Sequence, residues 1–171
     1  MPGYVHVYTG DGKGKTTAAL GLALRAAGAQ WKVFIAQFVK GSDSSELAAM
    51  ERFDDLVTLR QFGRSQFVCG KPQAADVQAA RQGLAECAMA IASGDYSLVI
   101  LDEANVAVEL GLFPVDELLA LIDGRPDGVE LVITGRGAHA RVVQRADLVT
   151  EMLDIKHYYN HGVTGRTGIE K

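Results

Sequence analysis

Nine residues near the start, Thr9-Gly10-Asp11-Gly12-Lys13-Gly14-Lys15-Thr16-Thr17, bring together glycines, lysines and hydroxyls at a spacing suited to holding phosphate. Successive backbone N–H groups in a glycine-rich turn can converge on phosphate oxygens, and a helix starting there adds its positive end. Lys15 supplies a cation for the phosphates and Thr16 a hydroxyl for a divalent metal ion. The usual pattern has glycine where this chain has Thr9. The loop lies between a strand expected at Tyr4 to Tyr8 and a helix expected from Thr16 to Gly28, the context such a loop requires.

A second chemical cluster closes the apolar run Leu98-Val99-Ile100-Leu101, where Asp102 and Glu103 follow directly. In nucleotide-binding α/β folds a carboxylate at such a strand end holds magnesium or its water shell. Ligands bind outside the C-terminal strand ends, so this pair and the glycine-rich loop are expected on one crevice. Gln37, near the end of a strand expected at Lys32 to Val39, faces the same edge.

Alternating elements must position these residues. A short helix is expected at Ser44 to Phe53, a strand at Leu56 to Leu59, and an aromatic-bearing loop at Gln61 to Pro72. The three- and four-residue spacing of Val77, Ala80, Leu84, Cys87 and Ile91 predicts a longer helix. Pro114 suits the first turn of a helix reaching Ile122. A strand at Glu130 to Thr134, a helix from His139 to Arg145, a strand at Leu148 to Met152 and an irregular tail complete the order. This rhythm predicts an α/β fold of the P-loop-containing kind, with a mostly parallel sheet and helices on both faces. Residues 1–171 read as a single nucleotide-binding domain.

Charge narrows the function classes. The 17 Lys and Arg against 21 Asp and Glu give a net charge of -4, which argues against a broad nucleic-acid footprint while permitting a focused anion site. The two cysteines, Cys69 and Cys87, lack metal or disulfide-framework spacing and read as free thiols in a reducing compartment. No signal segment and no membrane-length apolar run is apparent, so a cytoplasmic protein is expected.

The chain resembles the ATP:corrinoid adenosyltransferases of the type acting on cob(I)yrinic acid a,c-diamide and cobalamin. The resemblance rests on Thr9-Gly10 with Gly12 to Ala19, Gln37-Phe38-Val39-Lys40-Gly41, and Leu101-Asp102-Glu103 with Asn105. It continues through Ile133-Thr134-Gly135-Arg136-Gly137, His139, Lys156-His157, Gly162-Val163 and Gly168-Ile169-Glu170. It implies transfer of the 5′-deoxyadenosyl group from ATP to the Co(I) centre of a reduced corrinoid, with triphosphate released. On that basis Thr9 to Thr17, Gln37, Asn105 and Arg136 contact ATP, with Lys13, Lys15 and Arg136 stabilising the leaving triphosphate. Thr16 with Asp102 or Glu103 would hold Mg2+ or Mn2+. Phe62, Phe67 and Val68 would wall the corrinoid's lower face, Val68 standing where the family favours tryptophan.

The resemblance further implies a homodimer and a flavoprotein reductant. Two departures fall in the tail: Tyr158-Tyr159-Asn160-His161 replaces a segment containing a proline and an aromatic residue, and Thr164-Gly165-Arg166 replaces a Lys-Ala-Gln type stretch. His161 reads as an exposed residue. Two other classes remain open to the residues themselves, a general P-loop ATPase or small-molecule kinase, and a nucleotide-dependent corrinoid-binding module without transfer activity.

Overall fold

The central apolar strands stack side by side into one sheet because each offers hydrophobic side chains to both faces, which only a sheet covered on both sides can bury. The computed structural model describes residues 2–39, 41, 45–64 and 71–170. Its strands are β1 (Val5–Thr9), β2 (Val33–Phe38), β3 (Val57–Phe62), β4 (Leu98–Asp102), β5 (Glu130–Thr134) and β6 (Leu148–Glu151). They run in the order β3-β2-β4-β5-β1-β6, every pairing parallel.

Helices cover both faces. On one, Ile35, Ile100 and Val132 pack under α1 (Lys15–Gly28) together with Met50 of α2 (Ser45–Met50). On the other, Phe34, Ala36, Val99, Leu101, Leu131 and Ile133 meet α3 (Ala74–Ser93), α4 (Ala104–Glu109), α5 (Val115–Asp123) and α6 (Ala140–Arg145). The neighbours Ile35 and Ala36, or Ile100 and Leu101, point to opposite faces, as the two-residue strand period demands. Helix α1 turns Ala19, Ala23, Ala26 and Ala27 inward, small side chains that bring its backbone close to the sheet.

Helix α3 starts on a reciprocal capping box between Gln73 and Asp76, satisfying two otherwise orphaned N–H groups, and ends at Gly94 in the left-handed region. Four sequence expectations are corrected. Strand β3 continues through Phe62, so this residue belongs to the sheet and not to a loop. Pro114 is the N-cap of α5 with an extended backbone, one position before the helix proper. A short helix, α4, follows the acidic strand end, where its β-branched Val106 and Val108 gave no helical signal. The tail is not wholly irregular, since Tyr158–His161 forms a 3-10 turn closed by left-handed Gly162.

Candidate active site

Strand order decides what meets at the C-terminal edge. Gln61 aligns with Gln37 and Gln37 with Asp102, while Leu101 aligns with Ile133 and so sets Asp102 beside Thr134. These side chains form a polar row across four strands. Gln61 Nε2 donates to Gln37 Oε1 at 3.1 Å, and Gln37 Nε2 donates to Asp102 Oδ2 at 3.1 Å. Thr134 Oγ1 donates to Asp102 Oδ1 at 2.7 Å and accepts from the Glu103 N–H at 2.9 Å. Asp102 and Gln37 are buried, so each polar atom needs such a partner.

From the other side of the crevice, Thr16 Oγ1 donates to the same Asp102 Oδ1 at 2.8 Å. The glycine-rich loop and the acidic strand end are thereby joined directly, as the sequence led us to expect.

Loop geometry follows from close packing. Gly10 and Gly14 have φ of 91° and 120°, values that L side chains rarely adopt. A Cβ on Gly10 would lie 2.4 Å from the Met152 carbonyl oxygen, and one on Gly12 would lie 2.6 Å from that of Leu153. The Gly12 N–H donates to Met152 O at 2.7 Å, and the Met152 N–H to Thr9 O at 2.9 Å, so the end of β6 braces the loop's flank. Thr9, the departure from the usual glycine, also has a local use. Its Oγ1 accepts from the Ala138 N–H at 3.2 Å and ties the loop to the segment after β5.

Lys15 is buried at 7% exposure and bends back over the loop, donating to the carbonyls of Gly10 and Gly12 at 2.7 Å each. Burial pushes its ammonium below the ordinary lysine range; nearby Glu103 opposes this, Arg136 adds to it, and Asp11 and Asp102 oppose it more weakly. An anion arriving here would meet a desolvated cation whose hydrogen bonds, among the described residues, go to neutral carbonyls.

Gly12 to Thr17, Glu103, Arg136, His157 and Glu170 line one open cleft of about 240 Å³. Three basic side chains, Lys13, Lys15 and Arg136, therefore share it with Thr16 and Glu103. Arg136 is exposed in a turn opened by Gly135, whose φ is 129° and whose Cβ position would lie 3.0 Å from Asn105 Cβ. Glu103 has a left-handed backbone at φ 63°, a rare setting for a non-glycine residue.

The remaining expected residues divide. Asp11 is exposed and acts on Lys15 through its charge. Asn105 is buried behind Gly135, its Nδ2 donating to Gly135 O at 3.3 Å, while its Oδ1 has no hydrogen-bond partner among the described residues. Both ends of the Gln37 amide are engaged by protein. Phe62 is 7% exposed and packs on Phe38 and over Gly83, so its ring is part of the core. Phe67, Val68 and Cys69 lie outside the described residues, and Cys87 is a buried free thiol. His161 is exposed.

His157 and Glu170 reach the cleft without having been singled out as site residues. The sequence signal was their place in the Lys156-His157 and Gly-Ile-Glu stretches, but nothing local says that a tail over 140 residues beyond the loop returns to it.

The comparisons with known proteins agree. A family model described as ATP:corrinoid adenosyltransferase BtuR/CobO/CobP matches residues 1–170. A corrinoid adenosyltransferase of Pseudomonas aeruginosa is 36% identical over 169 residues, covering 98% of this chain and 83% of that protein. Those of Escherichia coli and Salmonella typhimurium are each 32% identical, covering 98% of this chain and 85% of each relative. With the glycine-rich loop, the acidic strand end and Arg136 brought to one cleft, and the match running almost end to end, the chain belongs to the ATP:corrinoid adenosyltransferase family.

Proposed function

We propose that this cleft holds the triphosphate of ATP while the chain, as a corrinoid adenosyltransferase, transfers the 5′-deoxyadenosyl group to the cobalt centre of a corrinoid. The observation that carries the site assignment is the convergence of Lys13, Lys15, Arg136 and Thr16 on one cleft, with Asp102 fixing the Thr16 hydroxyl. The segment Thr9 to Thr17 acts as a phosphate-binding loop of the P-loop kind within a single domain.

The reduced cobalt of the substrate supplies the electron pair. It attacks the ribose 5′ carbon, the bond from that carbon to the α-phosphate oxygen breaks, and the pair leaves with triphosphate. No proton has to be removed from the nucleophile, so the enzyme's tasks are alignment and electrostatic stabilisation of the leaving group. Lys15 leaves the Gly10 and Gly12 carbonyls for phosphate oxygens, Lys13 bears on the triphosphate from the solvent side, and the Arg136 guanidinium clamps an oxyanion in its planar fork.

The donor set suits a hard divalent cation. Magnesium is held through one or two carboxylates and substrate phosphates more than by an all-protein cage. Thr16 and Glu103 would hold Mg2+ or Mn2+, with Asp102 behind them, and the ion would neutralise charge building on the triphosphate. Gln37 acts by holding Asp102, and Asn105 by supporting the Gly135 turn that carries Arg136. By family resemblance Phe67 and Val68 would meet the corrinoid's lower face, a role that Phe62, packed in the core, does not share.

A homodimer is the working assembly; the exposed Leu148 and Val149 on edge strand β6, with Leu153 and Ile155 beyond it, support a covered surface there. A flavoprotein supplies the electron that reduces cobalt. Among the described residues no helix is long and apolar enough to cross a membrane.

The test is an anaerobic assay with chemically reduced cobalamin, magnesium and ATP. Loss of the Co(I) spectrum with adenosylcorrinoid and triphosphate in equal amounts is expected. ATP turnover to ADP and phosphate without any corrinoid requirement would overturn the proposal.

A further inference from the structure

The C-terminal segment returns to the phosphate cleft and closes on itself there. The Glu170 carboxylate accepts from the Tyr158 hydroxyl, from the Arg166 backbone N–H at 2.8 Å, and from Arg166 Nε and Nη2 at 3.3 and 3.2 Å. The Arg166 guanidinium also lies 4.8 Å from the centre of the Tyr158 ring. Tyr158 and Arg166 both fall in the tail stretches that depart from the family pattern, and the structure puts them on the same carboxylate.

What this clasp delivers is next to the nucleotide loop. Lys13 Nζ donates to the carbonyl of Ile169, immediately before Glu170, at 3.1 Å. Lys13 is otherwise a long exposed side chain with many rotamers, and one fixed acceptor selects those that keep its charge beside the cleft. His157, immediately before Tyr158, lines that cleft with Glu170. Its Nδ1 accepts from the Tyr159 N–H at 3.1 Å, leaving Nε2 as the ring nitrogen able to donate.

We propose that Glu170 is a positioning residue for the transferase: held by Tyr158 and Arg166, it fixes the tail so that the Ile169 carbonyl aims Lys13 at the triphosphate. The inference rests on the cleft being the triphosphate site.

Charge alone makes the opposite prediction, which gives the proposal a decisive sign. Glu170 is an anion lining a site for anions, so if it did nothing else its neutralisation would tighten phosphate binding. If it positions Lys13, neutralisation weakens binding.

Inorganic tripolyphosphate is titrated by calorimetry into the full chain, into Glu170→Gln and into Tyr158→Phe, each also in a Lys13→Met background. Thermal melts accompany every titration to establish that the variants are folded. The expected result is a loss of about fivefold in affinity for each tail variant, and no further loss once Lys13 is gone. Tighter binding by Glu170→Gln, or equal losses in both backgrounds, overturns the positioning role. Failure of the unaltered chain to bind tripolyphosphate or ATP removes the cleft assignment itself, and the tail's role with it.

Discussion

Thr16 and Asp102 are 86 positions apart in the chain, yet the Thr16 hydroxyl donates to Asp102 Oδ1 at 2.8 Å. Asp102 is at the same time held by Thr134 and Gln37 from the strands on either side. The hydroxyl that would reach a metal is therefore oriented from behind by a buried carboxylate, while Glu103 stands in the cleft. The two adjacent acids have different surroundings and should fail differently.

Asp102→Asn replaces one acceptor oxygen with an amide NH2 donor that faces hydrogen-bond donors in a buried site. It should lower stability by about 2 kcal/mol or more and weaken ATP binding together. Glu103→Gln should instead raise the magnesium concentration needed for half-maximal activity. Thermal melts and magnesium titrations on the two variants check this; an unchanged melting temperature for Asp102→Asn would contradict its bracing role.

Lys15 should take up protons when nucleotide binds. Its ammonium is held below the ordinary range, chiefly by burial, and a triphosphate beside it would favour the charged form and raise it. Between the lowered value and the ordinary one near about 10.4, the free protein binds less proton here than the complex does. ATP affinity should thus fall less steeply on the acid side of this window than within it. Calorimetry at alkaline pH in buffers of different ionisation enthalpy reads the uptake directly, and Lys15→Ala should abolish it while weakening ATP at least tenfold.

Gly10→Ala should destabilise the fold by about 1–3 kcal/mol, since it places a side chain at φ 91° against the Met152 carbonyl. Gly94→Ala provides the contrast. Its φ is 73°, but nothing lies within 4 Å of the added Cβ, so it carries only backbone strain. The melting temperature of Gly10→Ala should fall further than that of Gly94→Ala, and equal falls would show that β6 does not brace the loop.

The Glu170 carboxylate should remain ionised far into acid. Hydrogen bonds from Arg166 and Tyr158 hold it at about 2. Because the folded value lies below the unfolded one, the clasp contributes fully well above about 4.3 and is lost progressively as pH falls from there through about 2. A carboxyl NMR titration should leave the Glu170 signal in its ionised position at pH 3, where exposed carboxylates have already titrated. A midpoint near 4.3 would mean that the clasp does not form in solution.

Local chemistry made much of this molecule legible from its residues. The glycine spacing from Gly10 to Gly14 marked a turn between strand and helix, because glycine is what left-handed backbone and close backbone approach require. The run Leu98 to Leu101 ahead of Asp102 and Glu103 marked a buried strand ending in acids, because a strand covered on both faces is apolar until it leaves the sheet. What could not be read was which distant groups those elements meet. Gln37 reads as a ligand contact, and only strand order shows that Gln61 and Asp102 hold the two ends of its amide. Phe62 reads as a loop residue because Gly63 follows it, but pairing with Phe38 carries strand β3 through it and into the core. Thr9 meeting Ala138, and the tail returning to Lys13, depend on the order β3-β2-β4-β5-β1-β6 and on a clasp closed by three side chains. Such contacts are fixed by packing the whole sheet at once, and no local spacing encodes them.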